Sequence, residues 1–337
     1  MKRFFGRLKD RTGLSRFLQW PPNAMLMRYL PLRLGRAYVG FLGRVYFLFN
    51  RSESDEIKHN LTAVIRKMPR TDPIDLIIRR TFHEIFSHYH EKLITAYANY
   101  HKVCRFIKSR VLLNRQNLLD QALAQGRGVI LVTAHFGAVE FLPTILALSG
   151  YRVTMVVRFK TERLKRALSQ RAARLGITLL DASNGEGVIF SACQALKSNQ
   201  ILITECDEFE AWRPDRNRTT CFLGCTSPLD RTLDLLRRRY DSPLIMGLVC
   251  RAKGNRYELM LHSLNGISQN PESSTTAERA LRILEQYIIL APDQWYQWKQ
   301  LRTALGAKLF EETRPILATE ANRSLSIADS TLHTHKV

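Results

Sequence analysis

The chain has 337 residues, of which 45% are apolar and 24% charged, a composition typical of a globular protein and not of a disordered one. Its 51 Lys and Arg outnumber 30 Asp and Glu, and the net charge of +21 indicates a polyanionic partner or an anionic surface. Six scattered cysteines exclude a disulfide framework and favour a reducing compartment, and no charge-free apolar stretch approaches the roughly 20 residues that span a bilayer.

The first 50 residues combine basic and bulky apolar side chains. Residues 1–51 contain eleven Lys or Arg against Asp10 alone, and Phe4, Leu18 and Trp20 are among the apolar residues interleaved with them. This pattern is typical of an amphipathic segment that lies in the headgroup layer of an anionic membrane. We therefore predict a membrane-associating helical segment over residues 1–50. The alternative is a helix packed on the rest of the protein with a solvated basic face.

The pattern of apolar residues changes near the middle of the chain. From Ser52 to about Asn114, apolar residues recur at three- and four-residue steps, which predicts helices. After Gly128, short β-branched runs alternate with helical stretches, which predicts an α/β fold with a mixed, mostly parallel sheet flanked by helices. The last two runs, joined through residues 253–255, predict an antiparallel hairpin. The predicted strands are GVILVTAH, YRVTMVVR, GITLLDAS, QILITECD, PLIMGLVC and RYELMLHS.

The end of the chain differs in composition from the part before it. Beyond Pro315 it is rich in Ser, Thr, Ala and Asn and has no apolar period. We therefore predict one catalytic domain over residues 51–312 and a flexible tail over residues 313–337.

Ligand sites in parallel α/β sheets gather at the carboxyl ends of the strands. A histidine, an arginine and several carboxylates occupy these positions in the first four predicted strands. Such a set is more typical of a catalytic site than of a structural one. The residues at or just after the strand ends are, in chain order, His135, Arg158, Asp181, Glu205 and Asp207.

The first predicted strand leads into His135 and the residues FGAVE. If His135 lies in the turn, Glu140 can reach its ring, fix its tautomer and raise the basicity of the other nitrogen, so His135 is a candidate general base. Gly137 permits a tight turn and leaves backbone N–H groups bare to stabilise developing negative charge. The structural alternative is a strand-end histidine capped by a nearby glutamate.

The run GRGVILVTAHFGAVEFLPTILALSGYRVTMVVR resembles the core of the bacterial lipid A lauroyl/myristoyl acyltransferase family. This family lies within the glycerolipid acyltransferase group, whose signature is His, four residues, and Asp or Glu. The similarity extends over roughly residues 25 to 310. Other features at suitable distances are Arg158, Leu196-Lys197, Asp207, Phe222, Gly224, Pro292-Asp293-Gln294-Trp295 and Trp298.

The resemblance implies a fatty acyl transfer from a carrier thioester to a hydroxyl of an amphipathic glycolipid such as a lipid A precursor. It implies no metal and no cofactor, and it implies peripheral or monotopic attachment to the cytoplasmic face of the inner membrane. His135 would deprotonate the acceptor hydroxyl, and Glu140 would orient His135. No covalent acyl-enzyme is required.

Further residues are candidates for substrate binding. Arg158 would bind an acceptor phosphate or the oxyanion because its guanidinium presents several donors and stays charged, unless it pairs with Glu205 or Asp207. Glu205, Asp207 and Gly137 complete the candidate set. The chain departs from the family pattern at Cys206-Asp207-Glu208-Phe209-Glu210, where an Asp-Gln or Asp-His-Asp element is usual. This departure affects the acceptor more than the reaction.

The partner of the basic surface has several candidates. Acyl carrier protein is small and acidic, so the charge and the resemblance favour it over coenzyme A as the donor. The alternatives are an acyltransferase for a lysophospholipid or another glycolipid that uses acyl-coenzyme A, and a non-enzyme that binds lipid or nucleic acid. The run Arg237-Arg238-Arg239 suits phosphate contacts. However, no nucleic-acid recognition motif is visible, so we expect no nucleic-acid partner.

Overall fold

The computed structural model describes residues 13–68, 72–159, 161–209, 214–265 and 275–301. The predicted tail, the predicted domain end at residue 312 and residues 1–12 lie outside this part. The described helices are α1 Leu14–Leu18, α2 Pro21–Tyr29, α3 Leu32–Phe49, α4 Arg51–Ile65, α5 Ile74–Tyr97, α6 Tyr100–Arg110, α7 Gln116–Leu123, α8 Leu142–Leu148, α9 Glu162–Arg174, α10 Glu186–Lys197, α11 Thr232–Tyr240 and α12 Thr276–Leu290. The described strands are β1 Val111–Leu113, β2 Val129–Thr133, β3 Val153–Val157, β4 Thr178–Asp181, β5 Ile201–Glu205, β6 Pro214–Phe222, β7 Cys225–Asp230, β8 Leu244–Ala252 and β9 Arg256–Ser263.

A mixed seven-stranded sheet has the strand order β1-β9-β8-β2-β5-β3-β4. All its neighbouring strands are parallel except β8 and β9, which form an antiparallel pair. The predicted mostly parallel α/β fold and the predicted hairpin are therefore confirmed. Sequence analysis missed β1 and the separate antiparallel pair β6 and β7. Strand β1 has only three half-buried or exposed residues, so it carries little apolar signal.

The central strands form because both their faces are covered. Every residue of β2 is buried, and Val, Ile and Leu dominate the strand. Parallel strands with helices on both faces read as continuous apolar runs, which is why the sequence pattern found them. Several helices begin at side chains that accept a backbone N–H of the first turn: Asn99 at α6, Thr161 at α9 and Thr275 at α12.

The N-terminal helices share the core of the sheet domain. Leu18 and Met27 are almost fully buried, and the inner face of α3 packs on α5. At Gly43 a Cβ atom would overlap the ring of Phe86, so only glycine permits this close helix contact. None of the described helices combines the length and apolarity needed to cross a membrane.

Candidate active site

The turn that follows β2 is tied to two neighbouring segments. Its N–H groups at Gly137 and Ala138 donate to the carbonyl oxygens of Gln294 and Val249 at 2.9 and 2.7 Å. These N–H groups are therefore engaged and not bare, which differs from the expectation that they stabilise developing negative charge. The tight turn itself matches the prediction, since Gly137 has φ +56.

Gly137 is required by both conformation and space. A Cβ at this position would overlap the Val249 carbonyl oxygen, and the positive φ is strained for any L side chain. We expect Gly137→Ala to lower the free energy of unfolding by about 2 kcal/mol or more, measured by chemical denaturation. Gly126 is the matched control, because its φ is +72 but a Cβ there would meet nothing within 4 Å. Gly126→Ala should cost only about 1 kcal/mol, and equal losses would contradict the steric argument.

His135 and Asp207 face each other because of the register between β2 and β5. Thr133 is paired with Glu205, so the residues two positions beyond each strand end meet at the same edge of the sheet. His135 Nδ1 lies 3.0 Å from Asp207 Oδ1, and the His135 backbone N–H donates to both carboxylate oxygens at 3.1 and 3.0 Å. The indole N–H of Trp295 donates to Oδ2 at 2.8 Å. Asp207 is fully buried, so these donors replace the water that its charge would otherwise require.

Glu140 does not take the position that sequence analysis expected. It lies in a single 3-10 turn, Val139–Phe141, and its Oε1 is 2.9 Å from Lys92 Nζ and 3.7 Å from His88 Nε2. The carboxylate at the His135 Nδ1 atom is Asp207 instead. The 3-10 turn directs Glu140 towards α5, which carries His88 and Lys92 one helical turn apart. A catalytic role for Glu140 stays a prediction.

Two glutamates approach the other ring nitrogen. His135 Nε2 lies 3.0 Å from Glu208 Oε1 and 3.8 Å from Glu205 Oε2. Burial alone would lower the pKa of His135, but the charges of Glu205 and Asp207 and the hydrogen bonds to Asp207 and Glu208 raise it well above its ordinary value. Burial raises the pKa of Glu205 to about 7. This arrangement therefore favours the protonated form of His135.

These side chains also have the geometry of a cation site. His135, Glu205 and Glu208 each offer a ligand atom, and the three atoms lie within 4.8 Å of one another. One imidazole and two carboxylates suit a divalent transition metal. A metal at Nε2 would, however, occupy the nitrogen that a general base needs. The two uses of His135 exclude each other.

Arg158 and Asp181 have different surroundings. Arg158 is exposed at the rim of the pocket that contains His135. The ion pairs found among the described residues include none between Arg158 and Glu205 or Asp207. Asp181 forms an ion pair with Lys165 at 2.7 Å and accepts a hydrogen bond from the Ser183 backbone N–H. It therefore connects α9 to the end of β4 and is not part of the group of side chains around His135.

The pocket at His135 has a polar end and an apolar interior. Its polar end holds His135, Glu205, Glu208, Lys92 and Glu140. The interior lies between α8, α9 and strands β3 and β4. Its apolar lining residues are Val139, Pro143, Met155, Val157, Phe159, Leu164, Leu168, Ala172, Leu175, Ile177 and Leu179. A pocket of this kind can hold an alkyl chain with its polar end at the histidine.

A model of the bacterial lipid A biosynthesis acyltransferases matches residues 7–302. The chain belongs to this family. It is therefore an acyltransferase, an enzyme that uses an acyl donor and a lipid acceptor. Comparison with curated proteins gives no significant match.

Sequence analysis missed three residues around His135, namely Tyr296, His88 and Lys92. Tyr296 stacks on His88 with ring centroids 3.8 Å apart, and it forms a T-shaped pair with His135 with centroids 5.2 Å apart. Lys92 lies one turn beyond His88 on α5. The signal for Tyr296 was its place next to Trp295, but nothing in the sequence links a lysine on an early helix to His135.

Proposed function

We propose that this acyltransferase moves a fatty acyl chain from an acyl carrier protein thioester to a hydroxyl of a lipid A precursor or a related glycolipid. His135 acts as the general base. The observation that carries the proposal is the position of His135: its ring is held by buried Asp207 at the polar end of a pocket with apolar walls. This arrangement suits an alkyl chain whose reactive carbonyl lies beside the base.

The reaction needs a proton acceptor at His135 Nε2. Asp207 accepts the Nδ1 proton, which leaves Nε2 as the basic nitrogen once the ring is neutral. Nε2 removes the proton of the acceptor hydroxyl, and the oxygen attacks the thioester carbonyl carbon. The carbon–sulfur bond then breaks, and the leaving thiolate takes the proton from the imidazolium. Because Glu208 lies 3.0 Å from Nε2, the acceptor hydroxyl has to replace this carboxylate.

The purified enzyme provides the direct test. It should form the acylated glycolipid from acylated carrier protein and a lipid A precursor, and it should remain active in a metal chelator. A deletion strain should accumulate the precursor that lacks one acyl chain, measured by lipid mass spectrometry. Efficient use of acyl-coenzyme A without use of the acylated carrier would overturn the donor assignment. Unchanged lipid A with altered phospholipids would overturn the acceptor assignment.

The apolar interior supports control of acyl chain length. Ala172 lines the pocket and is almost buried, whereas the adjacent Ala173 is exposed and does not line it. We expect Ala172→Leu to shift the preference towards shorter acyl chains by about tenfold or more, since one methylene in an apolar pocket is worth roughly 1–3 kcal/mol. Competition between donors of different length measures this preference. Ala173→Leu is the matched control, and an equal shift in that variant would contradict the assignment of the pocket.

A groove rich in arginine supports an acidic carrier as the donor. Arg28 on α2 and four arginines of α9 line this groove. Arg171 also lines the pocket of His135, so the groove and the pocket share a wall. Complementary charge accelerates the encounter with an acidic protein and makes it dependent on salt. The four residues of α9 are Arg163, Arg166, Arg171 and Arg174.

The outer face of α3 supports attachment to an anionic membrane. Leu34, Phe41 and Leu48 are seven residues apart and 57, 60 and 64% exposed, and Arg44 lies in the same exposed stripe. Apolar side chains next to a cation suit the boundary between headgroups and acyl chains. The attachment is peripheral or monotopic, and the inner membrane is the membrane that we propose.

We expect a variant with glutamine at positions 34, 41 and 48 to lose at least about tenfold in affinity for anionic phospholipid vesicles, measured by sedimentation. Substitution is preferable to deletion of the N-terminal helices, because Leu18 and Met27 in these helices belong to the core. Leu290→Gln, an exposed leucine on α12, is the control and should bind normally. Normal vesicle binding by the triple variant would show that the outer face of α3 is not the membrane-binding surface.

A further inference from the structure

We propose that Lys92 binds the thioester carbonyl oxygen as it becomes negatively charged, and that Glu140 acts by positioning Lys92. This inference rests on the proposed function and adds a catalytic group to it. It also gives the glutamate of the His-x4-Glu motif a task other than orienting the histidine. Lys92 is the catalytic residue in this proposal, and Glu140 is a positioning residue.

The reaction requires a donor for the carbonyl oxygen. The tetrahedral intermediate carries a negative charge on this oxygen, and preorganised donors in a dry site stabilise it strongly. The N–H groups of Gly137 and Ala138 already donate to the carbonyl oxygens of Gln294 and Val249, so these two groups are not available to the carbonyl oxygen of the donor. The Trp295 indole N–H is engaged by Asp207. The cationic side chains that line the pocket are Lys92, Arg158 and Arg171. Arg158 is exposed at the rim and Arg171 donates to the Ala98 carbonyl oxygen, whereas Lys92 lies with Glu140 at the polar end.

Lys92 satisfies this requirement. Its side chain lines the pocket together with His135 and is 23% exposed, so water screens its charge only in part. Its ammonium group carries three protons, and Glu140 is within hydrogen-bond distance of one. Burial alone would lower the pKa of Lys92, but the attraction and the hydrogen bond of Glu140 raise it. Lys92 therefore stays cationic at neutral pH and cannot act as the base.

Glu140 has the contacts of a positioning residue. Its carboxylate lies between Lys92 and His88, and it is largely buried. Burial lowers the pKa of His88 well below its ordinary value, so His88 is neutral and Lys92 supplies the charge that balances Glu140. His88, which lies 3.7 Å from Glu140, is itself stacked on the ring of Tyr296.

A second ion pair on α5 shows the difference between a structural pair and this one. Glu91 binds Arg251 through two hydrogen bonds of 2.9 and 2.6 Å, and both side chains are almost fully buried. Neither lines the pocket of His135. That pair fastens α5 to β8. Lys92 and Glu140, by contrast, both line the pocket of His135.

The charge balance of the step follows from these positions. His135 Nε2 takes the hydroxyl proton, the carbon–oxygen bond forms, and the carbonyl electrons move onto the oxygen beside Lys92. When the carbon–sulfur bond breaks, the carbonyl re-forms and the thiolate leaves with the proton held by His135. Lys92 donates a hydrogen bond throughout and transfers no proton.

The test compares Lys92→Met, Glu140→Gln and the double variant, with acylated carrier protein and a lipid A precursor as substrates. We expect Lys92→Met to lower kcat by about 10² to 10³-fold with a nearly unchanged KM for the donor. Glu140→Gln should lower kcat less than Lys92→Met, and the acidic limb of its pH profile should not move. Lys92→Arg should retain part of the activity because the charge remains.

The double variant separates catalysis from folding. Lys92→Met leaves the Glu140 charge without its partner, which can itself destabilise the protein, whereas the double variant removes both charges. If Lys92 is catalytic, the double variant folds, as judged by thermal unfolding, and stays as slow as Lys92→Met. If the pair is only structural, the double variant recovers activity, and the proposal is overturned.

Two further results would also overturn it. One is a near-normal kcat in Lys92→Met while His135→Ala is inactive. This result would leave the proposed function intact and contradict only the catalytic role of Lys92. The other is a shift of the acidic limb in Glu140→Gln, with losses that add to those of Lys92→Met, because this would couple Glu140 to His135. Normal turnover in His135→Ala would instead contradict the proposed function itself.

Discussion

Replacing His135 by alanine should reduce turnover by about 10² to 10⁴-fold, the usual worth of a general base. The loss should appear in kcat, because a general base acts on a proton that moves only in the transition state. The imidazole is 14% exposed, and its loss leaves Asp207 with donors from Trp295 and the His135 backbone. The fold should therefore survive, which thermal unfolding can verify.

The pH dependence of the unmodified enzyme gives an independent check. A base must be neutral, and Glu205, Asp207 and Glu208 hold the pKa of His135 well above its ordinary value against the opposing effect of burial. Activity should therefore increase as pH rises through this raised pKa. His135→Ala should lack this increase of activity with pH. A folded alanine variant with near-normal turnover would refute the mechanism and favour the interpretation of a lipid- or nucleic-acid-binding protein.

The strands were predictable because covered parallel strands leave a strong sequence signal. The runs ending before His135 and Asp207 are continuous and apolar, and turn residues flank them. The order of the strands is a different matter. Strand β5 lies between β2 and β3, and only this crossover brings the first and fourth predicted strands together. No local pattern contains that information.

The site was predictable to the same extent. Position at a strand end identified His135, Glu205 and Asp207, which the structure brings together. Closeness in sequence then favoured Glu140 as the ring's partner, but the 3-10 turn directs that side chain to Lys92. Two carboxylates are candidates for the contact with the His135 ring: Glu140, five positions along the chain, and Asp207, across the parallel pair β2 and β5. The backbone geometry of the turn decides between them, and sequence spacing alone cannot.

Asp207→Asn should be nearly as damaging as loss of the histidine, although it changes only an oxygen into an amide nitrogen. Asp207 Oδ2 accepts from the Trp295 indole at 2.8 Å, so the remaining carbonyl oxygen of asparagine should take this position. The amide NH₂ then faces His135 Nδ1, which lies 3.0 Å from Oδ1 in the unmodified enzyme. Two donors cannot pair, so Nδ1 becomes the acceptor and the proton moves to Nε2.

A ring protonated at Nε2 cannot accept the proton of the hydroxyl, and we expect kcat to fall by up to about 10⁴-fold, the loss that such a change causes in serine proteases. Removing the Asp207 charge also lowers the pKa of His135, so more of the histidine is neutral at pH 7. Raising the pH should nevertheless fail to restore activity, because the neutral ring has the wrong tautomer. Trp295→Phe is the control: it removes one donor to Asp207 but keeps the carboxylate, so its loss should be much smaller. If Asp207→Asn regains activity at high pH, Asp207 acts through charge alone and does not select the tautomer.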